Sequence, residues 1–183
     1  MADSERYAAR LRSYTEGKDP LAMQENAPEL LAKLIEGVSD EALRVKPAPG
    51  KWSVVEILAH LADDEIVTSW RYRQMLENSG CALSGFDQDE WARMGKYESK
   101  DPGQCLHLFR LLRESNLQML RHLSSEEWQR HGMHAERGRM SVQDLARHMA
   151  GHDMNHIDQI RRILEKSHER GATDAGPPVY SAL

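Results

Sequence analysis

Cysteine is scarce: Cys81 and Cys105 are the only two, 24 positions apart, with no CxxC pair. That spacing excludes a zinc knuckle and a disulfide framework, and it suits a reducing cytoplasm. Positive charge is not in excess either. The net charge is −5 and the pI about 6.0, so there is no basic footprint for nucleic acid. Long apolar runs are missing. The longest candidate, "VVEILAHLA", is short and carries Glu56 and His60, far from the ~20 residues of a membrane span. The opening "MADSERYAAR" is charged and shows no apolar core of a signal peptide. No stretch of useful length alternates with period two, so the sequence gives no strand signal.

Helical periodicity is what remains. "PLAMQENAPELLAKLIEGV" carries apolar residues at helical spacing, with Pro28 expected to open its surer half. "SVVEILAHLADDEIVTSWRYRQMLENSG" begins with a capping-box signature, Ser53 and Glu56, and Gly80 is a plausible stop. "DPGQCLHLFRLLRESNLQMLRHL" and "MSVQDLARHMAGHDMNHIDQIRRILEKSHER" read as two further long helices, the last stopped by Gly171. Two polar connections separate these, and "DQDEWARM" in the first suits a short helix. Four long amphipathic segments in 183 residues predict an all-α bundle in one domain. Residues 1–19 read as a polar arm, 20–170 as the domain and 171–183 as a tail.

The last helix holds His148, His152 and His156 at four-residue spacing. On a helical wheel His156 falls inside the apolar stripe, His152 on its edge and His148 about 40° farther round, toward water. An i, i+4 histidine pair on one face chelates zinc-like ions, and an imidazole satisfied in the core fits the same spacing. A catalytic site normally takes three protein ligands, so a third would come from another helix. His60 lies on the flank of the second helix's stripe. Asp64, Glu65 and Asp153 are candidates for orienting imidazoles or moving protons, or for tying helices together as buried polar pairs.

"PAPGKWSVVEILAHLADDE", "FDQDEWARM" and "WQRHGMHAERGRMSVQDLARHMAGHDMNHIDQI" resemble the DinB/YfiT-like family of metal-dependent enzymes, over roughly residues 22–165. The resemblance implies a four-helix bundle with up-down-down-up connections and a homodimer. It also implies a metal held by one histidine of the second helix and an HxxxH pair of the last, here His60, His152 and His156. Zinc or nickel suits three imidazoles, with iron or manganese as alternatives. Relatives of this fold include S-transferases that use a low-molecular-weight thiol, and a thiol-dependent isomerase.

Such a site activates either water or a thiol, making the protein a hydrolase or a thiol S-transferase, with Asp64 or Glu65 accepting the proton. The contrasting expectation is a non-catalytic dimeric stress or interaction protein whose metal is structural or absent. Trp91, Arg93, His134 and Arg137 are candidates for lining a pocket, where a planar Arg suits a carboxylate. Trp91 and Trp128 suit loop anchoring at least as well.

Overall fold

The computed structural model describes the backbone of residues 2–174 and side chains from 5 to 167. The four expected long helices are α2 (Pro20–Ile35), α4 (Val54–Glu77), α6 (Pro102–Leu120) and α8 (Val142–Asp174). Shorter helices lie between and before them: α1 (Ala2–Thr15), α3 (Asp40–Arg44), α5 (Gln88–Met94) and α7 (Ser125–Gln129).

Local chemistry sets the starts. Ser53 Oγ accepts from Glu56 N–H at 3.3 Å, and the Glu56 carboxylate accepts from Ser53 N–H at 2.8 Å, so the capping box forms as written. Ser141 and Asp144 do the same for α8. α2 and α6 each follow an Asp cap with proline in the first turn, Asp19–Pro20 and Asp101–Pro102.

Two expected boundaries move. α2 begins at Pro20 and carries Pro28 in its interior, where a proline leaves the carbonyl four residues back without its helical donor. That carbonyl, Gln24 O, instead accepts from Arg113 Nη1 at 3.0 Å. α8 continues through Gly171 to Asp174; the rest of the expected tail, 175–183, lies outside the described residues.

The connectivity follows from which residues meet. Glu65 and Arg73 of α4 meet Arg113 and Asn116 of α6, so those helices run parallel. His60 meets His152 while Thr68 meets Met149, so α4 and α8 are antiparallel. Gln24 bonds Ala146, and Leu34 shares a groove with Leu164, which makes α2 and α8 parallel. The bundle is therefore up-down-down-up. Its core joins Leu31, Ile57, Leu58, Leu61, Phe109, Ile157 and Ile160, all buried.

Two features depart from the sequence reading. The polar N-terminal arm folds as α1, docked on α8 with Leu11 and Thr15 buried. Tyr14 Oη donates to Asp158 at 2.6 Å. Gly151 permits the approach, because a Cβ there would lie 2.5 Å from the Leu11 carbonyl oxygen. The long connections also contain a small sheet: β1 (Cys81–Leu83) pairs parallel with β2 (His131–His134), and β2 pairs antiparallel with β3 (Gly138–Ser141). Strands of three and four residues are too short for period-two alternation to be legible. The sheet clips both crossovers together and holds the β2–β3 turn beside α8. No described helix is long and apolar enough to cross a membrane.

Candidate metal centre

α4 and α8 cross where His60 faces His152 and His156. His60 Nε2 lies 3.3 Å from His152 Nε2, which lies 3.2 Å from His156 Nε2. One donor atom from each ring falls within 4.8 Å of the other two, and all three residues are buried. Among the described residues this is the one such group of histidines, cysteines or carboxylates.

Burial sets the protonation. It pushes His60 down to about 3 and His156 to about 4, with the His156 imidazole adding to the effect on His60. His152 is also held well below its ordinary value, by burial first and then by His156 and His60. All three rings are therefore neutral at pH 7. His156 Nδ1–H donates to Gln159 Oε1 at 3.0 Å, which leaves Nε2 as a lone pair facing the cluster. A single ring proton can at most be shared between these close nitrogens, whereas a cation satisfies all three. In a tetrahedral site with metal–nitrogen bonds of ~2.0–2.1 Å, ligand nitrogens sit ~3.3 Å apart, and the two Nε2 separations match that. An all-imidazole donor set suits zinc, nickel or another borderline divalent ion.

The cluster forms the floor of an open cleft of about 680 Å³. Trp52 packs on the His60 ring, with centroids 4.9 Å apart. Asp64 lines the cleft, with Oδ2 3.6 Å from His152 Nδ1, just beyond hydrogen-bond range. Burial, together with Glu65, pushes the Asp64 carboxyl up to about 7. His60 Nδ1 and His152 Nδ1 are buried and have no hydrogen-bond partner among the described residues.

Glu65 does not share this setting, contrary to the expectation that paired it with Asp64. Consecutive helical residues diverge by ~100°, and Glu65 points between α4 and α6. Its carboxylate accepts from Arg113 Nη2 at 2.8 Å and Asn116 Nδ2 at 2.9 Å. Asp153 accepts from the same guanidinium at 2.6 and 3.1 Å. Arg113, only 1% exposed, thus ties α4, α6, α8 and the Gln24 carbonyl of α2 at one point. The sequence reading missed Arg113; its one signal was an arginine amid the apolar positions of α6.

His148 is half-buried, although the wheel turned it toward water, because the β2–β3 turn covers it. Its Nε2 accepts from Arg137 Nη1 at 2.6 Å and so is not free for a cation. His134 and Arg137 line the cleft. Trp91 packs against Phe86 and the core, and Arg93 pairs with Glu90 on the surface; neither lines the cleft.

The sequence profile of the DinB superfamily matches residues 24–160. The chain belongs to the DinB superfamily. Two relatives, both named provisionally as metal-dependent hydrolases, cover most of it. OB0782 of Oceanobacillus iheyensis is 25% identical over 143 residues, covering 78% of this chain and 82% of its own. YfiT of Bacillus subtilis is 24% identical over 162 residues, covering 87% and 91%. The solved structure of YfiT from Bacillus subtilis, described as a probable metal-dependent hydrolase with an unusual four-helix bundle topology, superposes with a TM-score of 0.77. It shows 21% identity and covers 81% of this chain and 86% of that one. The shared fold of the DinB superfamily accounts for the bundle and for the placement of α4 beside α8.

Proposed function

We propose that this DinB-superfamily protein is a metal-dependent hydrolase whose cation is held by His60, His152 and His156. The observation that carries the reading is the convergence of three buried, neutral Nε2 atoms on the floor of an open cleft. The provisional names of its relatives support the reaction class. A divalent cation in an imidazole site supplies Lewis acidity, which brings the pKa of a water, or of a thiol, toward neutrality.

The chain's own residues do the rest. Gln159 fixes the His156 tautomer so that Nε2 faces the site. Trp52 covers the His60 ring. Asp64 is the buried carboxylate that lines the cleft, and a closing shift of a few tenths of an ångström would let His152 Nδ1–H donate to it. Burial and Glu65 raise its carboxyl toward neutrality, and a cation on the imidazoles would lower it again, so that it would stand as a carboxylate able to accept a proton. Glu65 and Asp153, locked to Arg113, hold the two ligand-bearing helices in register.

An open cleft over the rings argues against a purely structural metal, whose coordination is normally closed by protein. The test is metal analysis of the purified chain, followed by an activity screen with and without the metal. Ester, amide and phosphoester probes form one arm, and a small thiol with an electrophilic acceptor forms the other. Metal-dependent turnover in the first arm supports the proposal. Turnover only with the thiol would replace hydrolysis by S-transfer, and a metal-free protein would remove both.

A further inference from the structure

Three cleft residues remain unused by that account: Arg71 of α4, Arg137 of the β2–β3 turn and Tyr7 of α1. Their placement is specific. Arg71 Nη2 donates to the Ser84 carbonyl at 2.7 Å, and Arg137 Nη1 donates to neutral His148. These acceptors position both guanidiniums without neutralising them. Among the described residues neither Arg71 nor Arg137 has a carboxylate within ion-pair distance, whereas Arg44, Arg93, Arg113 and Arg161 all do. Burial works against the Arg71 cation, Asp64 works for it and the charge of Arg137 works against it, and Arg71 Nε is buried without a hydrogen-bond partner among the described residues. Asp64, Asp89 and Glu136 also line the cleft, and none of the three lies within ion-pair distance of either guanidinium among the described residues.

Tyr7 completes the wall. No hydrogen bond is formed by its hydroxyl among the described residues, and its ring feels the charges of both Asp64 and Arg137. It is carried by a helix that lies before residues 24–160, the segment matched by the superfamily profile. The Gly151–Leu11 approach and the Tyr14–Asp158 bond dock that helix beside His152.

We infer that Arg71, Arg137 and Tyr7 form an oxyanion subsite, and that the cleft takes a small molecule carrying a carboxylate or phosphate group, held there beside the three imidazoles. This rests on reading the cleft as the substrate site. Guanidiniums suit such groups because their planar donors match two oxygens at once. A cavity of about 680 Å³ is the size of a small-molecule site.

The test is calorimetric titration of the full-length, metal-stripped chain with inorganic phosphate in one arm and succinate in the other, at low salt and pH 7.5. Saturable one-site binding of at least one probe is expected, and the arm that saturates identifies the group. Arg137→Met, on an exposed turn, should weaken it about tenfold or more. Tyr7→Phe should weaken it about threefold. Arg139→Met, outside the cleft, should leave it unchanged. Absence of saturation by about 10 mM in both arms, or equal weakening by Arg139→Met, overturns the inference. Metal uptake, measured separately on the same variants, tests the metal reading alone: its loss from the wild type would leave the anion result standing.

Discussion

Replacing Arg113 with Met keeps most of the side-chain volume and removes the charge that joins Glu65 to Asp153. All three groups are about 1% exposed, so the variant buries two carboxylates without a counter-ion. Breaking one side of a buried ion pair costs about 3–5 kcal/mol. The pH dependence follows from the same geometry. Burial already pushes Asp153 up to about 6 with the guanidinium in place, and without it the folded pKa rises further. A carboxyl whose folded pKa lies above its unfolded value favours folding at low pH and loses that advantage as pH rises. Each carboxyl that folds protonated shifts stability by about 1.4 kcal/mol per pH unit between the two values. The gap between variant and wild type should therefore be about 3–5 kcal/mol at pH 8 and should shrink by pH 5 toward the roughly 1–3 kcal/mol that the orphaned Gln24 carbonyl costs at any pH. The histidine contributions are common to both proteins and cancel in the difference. Urea unfolding of both across that range is the assay. A gap below about 1 kcal/mol at pH 8, or one that does not change with pH, would refute the argument.

Other consequences are independent of Arg113. The metal-free protein should lose stability as pH falls from about 6.5 toward 3–4. The folded imidazoles of His60, His148, His152 and His156 stay neutral there while the unfolded ones bind protons, and the raised carboxyls of Asp64 and Asp153 offset two of those four, at up to about 1.4 kcal/mol per pH unit for each group; a thermal-melting profile that is flat or rises as pH falls over that window would contradict it. Gly151→Ala should push α1 off α8, since its Cβ would meet the Leu11 backbone. Faster proteolysis of the N-terminal helix with the bundle intact is expected, at a cost of about 1–3 kcal/mol less the ~1 kcal/mol that alanine returns to a helix. Asp64→Asn should weaken metal affinity about 10–100-fold in chelator competition without unfolding the chain, and unchanged affinity would free His152 of any dependence on Asp64.

Much of the bundle was legible because helix signals are local. The Ser53–Glu56 box and the apolar spacing placed α4, and the wheel set His156 and His152 apart from the outer His148, although the structure buries the first two alike. What escaped depends on residues far apart in the chain. Arg113 is interpretable only once α4, α6 and α8 surround it, and Pro28 passes as a helix start until Arg113 is seen taking the carbonyl it frees. The wheel could have separated Asp64 from Glu65, whose side chains leave α4 ~100° apart. The sheet strands are too short to show a period. Polar α1 shows its attachment only through Gly151 on another helix.

X-ray absorption at the metal edge of the protein as purified tests the central claim most directly. Three imidazole nitrogens at ~2.0–2.1 Å with at least one light-atom ligand besides are expected for zinc, falling to two imidazoles or to no metal in His156→Ala. Sulfur in the coordination shell, or an unchanged spectrum in that variant, would contradict the assignment of His60, His152 and His156 as the ligands.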